Sequence, residues 1–293
     1  QQGHTNENKF KQLKDEFATP NSQHTASGAP GVNYTQQQVD YQMDIVLDDA
    51  KQTLTGHEDI VYYNNSEDTL EYLWVQLDQN MRAKDSKTPD IKGAGAEPLY
   101  SPEKFTAEFI EKPFEGGFNI MQVRDKKGDN LAYTINRTMM RIELPKPLAS
   151  GKKFKFSIKW WYNINNHVPQ RGRSGYEHFD EDGNNLYVIA QFFPRLCVYN
   201  NVEGWQNMQF WGRSEFALEF GNYKVNITTP KDHILNATGV LKNPKKVLTA
   251  TQLDRFKKAQ TSFEKPIMIV TQEEAEKAEK GNSTETKTWT FDA

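Results

Sequence analysis

Lys153-Phe154-Lys155-Phe156-Ser157-Ile158-Lys159-Trp160-Trp161-Tyr162 decides the fold class. Successive side chains of a strand point to opposite faces, so Phe154, Phe156, Ile158, Trp160 and Tyr162 fall on one side. Lys153, Lys155, Ser157 and Lys159 fall on the other. A helix would scatter the five large groups around its circumference. One face is therefore expected to pack against a second sheet while the other stays wet, the pattern of an antiparallel sandwich. Trp161 interrupts the wet face and is a candidate for contact outside the sandwich.

The same period of two runs upstream. Val39, Tyr41, Met43, Ile45 and Leu47 alternate with polar residues; Asp48-Asp49-Ala50-Lys51 turns the chain into Gln52–Tyr63, and Asn64-Asn65-Ser66 turns it into Leu70–Leu77. Further strands are expected at Phe118–Arg124 and Leu131–Asn136, joined as a hairpin through Lys126-Lys127-Gly128-Asp129. Others are expected at Leu186–Phe193, Phe216–Thr229, Ile234–Ala237, Ile267–Val270 and Lys287–Phe291. Asp78–Pro113, with four prolines, reads as a long surface insertion, and Asn163–Asn184 as a polar loop. Phe10, Leu13 and Phe17 make one stripe on a short helix over Lys9–Ala18, which Pro20 ends. Thr249–Ala259, with Leu253 and Phe256 inward, predicts a second helix, and Glu273–Asn282 a charge-rich helix or loop. The expected organisation is an N-terminal helix and extended arm over residues 1–35, then one all-β antiparallel sandwich over 36–293 with one or two small helices.

With 293 residues the chain can bury a substantial core, and 36 Lys+Arg against 39 Asp+Glu leave a net charge of -3. No global field then favours nucleic acid or an anionic membrane. No apolar run approaches the roughly 20 residues of a membrane-spanning helix. The single cysteine, Cys197, excludes an internal disulfide and a thiolate metal cluster. The start at Gln1-Gln2, with no basic-then-apolar leader, fits a secreted or periplasmic protein after signal removal and equally a chain simply cut at that point.

Chemistry concentrates after the Leu186–Phe193 run, in a loop dense in Trp, Asn, Gln and Arg. Elsewhere the motifs fall short. His57-Glu58-Asp59-Ile60-Val61 begins like the His-Glu-x-x-His zinc motif but has Val at its last position and lies in a strand pattern, so it reads as an ordinary solvent-facing His-Glu pair. Glu177–Gly183 concentrates oxygen ligands without the full calcium-loop spacing, and Asp182-Gly183-Asn184 is a natural turn. Gly172-Arg173-Ser174-Gly175 lacks the spacing of a nucleophile elbow.

A resemblance goes further. Ala190-Gln191-Phe192-Phe193-Pro194 resembles the Thr-Gln-Phe-Glu-Pro block in the N-terminal β domain of zinc aminopeptidases of the aminopeptidase N family. Asn200-Asn201-Val202-Glu203-Gly204-Trp205-Gln206, with Gly212-Arg213-Ser214-Glu215-Phe216, resembles the secreted bacterial branch. Further similar blocks, in the same order, are Thr19-Pro20-Asn21, Thr25 to Gly31, Thr53-Leu54-Thr55-Gly56, Gln76-Leu77-Asp78-Gln79-Asn80, Thr261 to Pro266 and Lys287 to Phe291. The resemblance implies a saddle-shaped β domain that roofs an active site and helps select peptide N-termini. Its partners would be its own C-terminal catalytic domain, expected after residue 293 and carrying the zinc, and the peptide substrate. This chain would hold no metal and would be inactive alone.

In the family an acidic or amide group of the block receives the substrate's free amine. Phe193 stands where that Glu is expected, which leaves two options: Gln191 takes the polar role one pleat away, with Arg195 beside it, or the amine is held elsewhere. The plain reading has Phe192 and Phe193 close the sandwich edge and Gln191 satisfy backbone groups. Tyr199, Asn200, Asn201, Glu203, Trp205 and Gln206 are implied at the domain interface or the substrate rim. The alternative from a different class is a self-sufficient glycan- or protein-binding module using Trp161, Trp205 and Trp211 as stacking platforms.

Overall fold

The computed structural model describes residues 20–88, 101–106, 114–170, 172–212, 217–281 and 283–293. The helix expected over Lys9–Ala18 lies outside them. The strands are β1 (Gln38–Asp48), β2 (Thr53–Asn64), β3 (Leu70–Gln76), β4 (Asn119–Asp125), β5 (Tyr133–Asn136), β6 (Met139–Leu148), β7 (Lys152–Asn163) and β8 (Gly175–Phe179). After them come β9 (Asn184–Val188), β10 (Arg195–Leu196), β11 (Tyr199–Asn200), β12 (Gly204–Trp205), β13 (Tyr223–Pro230), β14 (Val240–Leu241) and β15 (Thr286–Asp292).

Seven strands form one sheet in the order β14-β15-β13-β1-β2-β7-β4, and four form a second in the order β10-β3-β6-β5. The alternation read in β1 and β7 does what it implies: Val39, Tyr41, Met43, Phe156, Ile158, Trp160 and Tyr162 pack with Leu73, Val75, Met140 and Ile142 of the second sheet. Each such side chain contributes about 1.5–3 kcal/mol by leaving water. Gly56 is bare because Trp160, its cross-strand partner, fills the space any side chain would need. The chain is an all-β sandwich whose neighbouring strands are antiparallel, apart from the parallel pair β1–β13.

Several expectations are corrected. The Lys126–Asp129 turn forms, with the Asp125 N–H donating to the Asp129 carbonyl, but β4 pairs with β7 and β5 with β6. The turn therefore carries the chain from one sheet to the other. β6 itself was not expected, because Pro145 and Pro147 break its alternation. Asn163–Asn184 is not merely a loop: it contains β8, which pairs with β9 as a separate two-stranded ribbon. Ile234–Ala237 and Ile267–Val270 form no strand. The helices occupy Ala250–Ala259 and Gln272–Ala278, each opened by a capping box, from Thr249 and Thr271. Leu253 and Phe256 are half-buried.

Asn64 closes the corner between β2, β3 and the end of β6. Its side chain is fully buried, accepts from Gln37 Nε2 (3.0 Å) and Ser66 Oγ (2.7 Å), and donates to the Asp68 and Leu148 carbonyls at 2.7 and 2.9 Å. Asn64→Ala leaves the buried Gln37 amide and Leu148 carbonyl unpaired and is expected to cost about 2–4 kcal/mol in urea denaturation. A loss below 1 kcal/mol would mean that the corner does not depend on this amide.

Candidate functional site

The expected Leu186–Phe193 strand stops at Val188, and the chain turns out of the ribbon. Gln191 adopts a left-handed backbone (φ 52°), uncommon for a residue with a Cβ. What holds it there comes from a distant block: Gln79 Nε2 donates to the Gln191 carbonyl at 2.9 Å and the Ala190 carbonyl at 3.4 Å, and Arg82 Nη1 donates to Gln79 Oε1 at 3.2 Å. Ser174 Oγ accepts from the Ala190 N–H at 3.3 Å. Asp78 and Gln79 are buried, which corrects the reading of Asp78–Pro113 as surface from its first residue.

Four residues after Gln191, Arg195 is also buried, and its Nη2 lies 2.5 Å from Asp78 Oδ2. Gln76 Nε2 donates to the other Asp78 oxygen at 2.7 Å. Burial pushes the Asp78 carboxyl up, against the downward pull of Arg195 and Gln76. Phe193 packs edge-on against Tyr41 (5.3 Å between ring centroids) and Phe192 (5.1 Å), closing the edge of the sandwich. The Tyr41 hydroxyl accepts from the Leu196 N–H at 3.0 Å. Of the three residues proposed for substrate, Arg195 is thus an internal anchor and Phe193 a packing group. The Gln191 side-chain amide is partly exposed and makes no hydrogen bond among the described residues.

The following loop folds as the small ribbon β11–β12. The Tyr199 N–H donates to Glu219 Oε1 at 3.0 Å and its hydroxyl to Asp68 Oδ2 at 2.8 Å. Asn200 Oδ1 accepts from the Val202 and Glu203 N–H groups, both at 3.0 Å. Asn201 Nδ2 lies 2.8 Å from His24 Nδ1, so the N-terminal arm is stitched to this loop. Trp205 lies against Tyr199, Tyr62 and Tyr72, with centroids 5.1, 6.1 and 6.5 Å away. The Gln206 N–H returns to the Val198 carbonyl at 2.9 Å. Tyr199, Asn200, Asn201 and Trp205 are therefore occupied in shaping the loop, while Glu203 is exposed at its tip. Burial pushes the Glu219 carboxyl up to about 7.

The ribbon β8–β9 explains what faces outward. Its register places Tyr176, His178, Asn185 and Tyr187 on one face and, on the other, Glu177 and Asn184 among three large apolar residues, Phe179, Leu186 and Val188. The second face is bare: these three are 39%, 55% and 58% exposed. Asp182-Gly183-Asn184 is the ribbon's tip, where Asp182 Oδ1 accepts from the Asn184 N–H at 3.1 Å. A groove of about 950 Å³ on the outer face of the large sheet is lined by groups of both signs, including Asp40, Asp59, Arg124 and Lys155, and does not include Gln191.

His57 and Glu58 leave β2 on opposite faces, His57 outward and Glu58 into the core, so they do not share a metal. Among the described residues no three His, Cys, Asp or Glu side chains are placed to hold an ion, and no helix is long and apolar enough to cross a membrane.

No family model matches the chain, and no curated protein matches it. Among solved structures it is similar to an M1 zinc metallopeptidase from Deinococcus radiodurans, with 11% identity and a TM-score of 0.40, over 90% of this chain and 40% of that one. A mutant of that enzyme bound to a Tyr-ser-ala substrate gives the same identity and coverage with a TM-score of 0.41. A two-domain M1 zinc metallopeptidase mutant bound to L-arginine gives 12% identity and a TM-score of 0.40, over 88% and 39%. The chain spans about two fifths of the length of these proteins.

Proposed function

We propose that this chain is the noncatalytic N-terminal β domain of a secreted or periplasmic zinc aminopeptidase. In this reading it covers the active site and presents Gln191 to the free amine of a peptide. One observation carries it: the bare face of Phe179, Leu186 and Val188 ends in the turn that holds an uncommitted Gln191 amide. An apolar ribbon face beside a free polar group suits docking onto a second domain with a substrate cleft between them. The ordered sequence blocks that resemble the aminopeptidase N family support the same reading. In this reading the zinc and the water-activating Glu belong to the partner domain, as the resemblance implies, and this chain supplies orientation and an amide acceptor.

In the longer natural polypeptide, Gln191→Ala is expected to lower kcat/KM for peptides with a free N-terminus about 10–100-fold, the worth of a hydrogen bond to a charged amine. N-acetylated substrates should be insensitive. Equal loss on both classes would remove Gln191 from amine recognition. The chain purified alone is expected to bind no stoichiometric zinc and to leave amino-acid p-nitroanilides intact; turnover by it would overturn the proposal. The alternative binding-module reading gains nothing from Trp205, whose ring is covered by the chain's own tyrosines.

A further inference from the structure

Among the described residues the backbone of the ribbon β8–β9 is tied outside itself through one bridge, between Asn166 and Tyr176, so it does little to fix the ribbon's direction. Side chains do that, and they converge on one atom. Asp49 Oδ1, in the β1–β2 turn, accepts from the Tyr187 hydroxyl at 2.6 Å and from Asn185 Nδ2 at 3.0 Å, and His233 Nε2 lies 3.7 Å from it. Tyr187 and Asn185 are the inward face of β9. His233 comes from the connection after β13 and is held from its other side by Asp232, with Nδ1 to Oδ1 at 3.3 Å. Asp232 in turn accepts the Ser283 N–H at 2.7 Å.

The turn that presents Asp49 is itself rigid. The Lys51 N–H and Nζ bind the two Asp48 oxygens at 3.1 and 2.8 Å. Gln52 takes a left-handed backbone (φ 49°), donates its amide to the Asp49 carbonyl, and its own carbonyl accepts from the Ile164 N–H at 2.7 Å. A fixed acceptor on the large sheet thus meets donors from the ribbon, and bonds to an ionised acceptor are among the stronger ones.

We infer that Asp49 is a positioning residue: its carboxylate sets the direction of the β8–β9 ribbon, and with it the outward face of Phe179, Leu186 and Val188 and the turn bearing Gln191. This deepens the docking role proposed above and rests on it for its purpose, but the clasp is testable without any partner domain. Hydrogen exchange on this chain, read by mass spectrometry, compares wild type with Asp49→Ala, Asp49→Asn and Tyr187→Phe. Asp49→Ala is expected to speed exchange of the amides of residues 175–190 at least about tenfold while β1, β2 and β7 stay as in wild type. Tyr187→Phe, which leaves the turn untouched, should move the same amides in the same direction. Asp49→Asn keeps an acceptor oxygen and should restore most of the protection, which a residue needed only for the turn's own fold would not show. Unchanged ribbon exchange in Asp49→Ala and Tyr187→Phe, or acceleration spread evenly over the whole chain, would overturn the inference. Neither result depends on whether the chain docks to an aminopeptidase domain.

Discussion

Arg195→Met is expected to lower the free energy of unfolding by about 3–5 kcal/mol, because it leaves the Asp78 carboxylate buried without its counter-charge. The pair is only 6% and 1% exposed at its side chains, so water cannot take over the role of the guanidinium. The gain from the ion pair itself is far smaller than this loss. Each partner had to be stripped of water, and their attraction largely offsets that cost instead of exceeding it. The double variant Arg195→Met with Asp78→Leu is therefore expected to recover most of the lost stability. Urea denaturation of the two singles and the double closes the cycle. A single-variant loss under 1 kcal/mol would show that the pair does not anchor the strand end that follows Gln191.

Glu58→Met is expected to stabilise the domain, and to do so more at pH 8 than at pH 5. Glu58 points between the sheets beside Met43 and Ile158, is fully buried, and neither carboxyl oxygen has a hydrogen-bond partner. Burial pushes its carboxyl well above the usual carboxylate range. The folded chain then keeps a proton that the unfolded chain releases once the pH exceeds the ordinary glutamate value. Stability contributed by that proton is complete at acid pH and is lost as pH rises, at about 1.4 kcal/mol per pH unit, until the buried group itself ionises. Glu219, with its carboxyl pushed up to about 7 by burial beneath Tyr199, adds a smaller effect of the same direction, reduced because solvent reaches part of it. Wild-type stability should fall between pH 5 and 8, and Glu58→Met should flatten most of that fall. A wild type equally stable across this range would contradict the burial of a neutral Glu58.

The strands legible in the sequence are those whose local pattern and tertiary setting agree. β1, β7 and β15 alternate, apart from the outward Val46 and Trp161, and each has one face in the core. β6 escaped notice because Pro145 and Pro147 sit in its exposed half, where no alternation marks it. The run Leu186–Phe193 was readable as extended but not as ending at Val188, since the turn at Gln191 is imposed by Gln79, more than a hundred residues away. The same holds for the candidate site. Resemblance drew attention to Gln191, Phe193 and Arg195, but only the packing distinguishes a free amide from an edge-closing ring and a buried cation. The reading of His57 and Glu58 as a solvent-facing pair is corrected: adjacent strand residues face opposite ways, and Glu58 is fully buried. The clasp on Asp49 had no signal: in the sequence it is one polar residue of an ordinary turn.

The account stands on the ribbon β8–β9 being a docking face left open in this chain. The most direct measurement is hydrogen exchange of residues 175–192 in a polypeptide that carries the proposed catalytic domain after residue 293, compared with the isolated chain. Docking predicts at least about tenfold slower exchange of these amides in the longer protein, with β1, β2 and β7 unchanged. Equal exchange in the two proteins would contradict it.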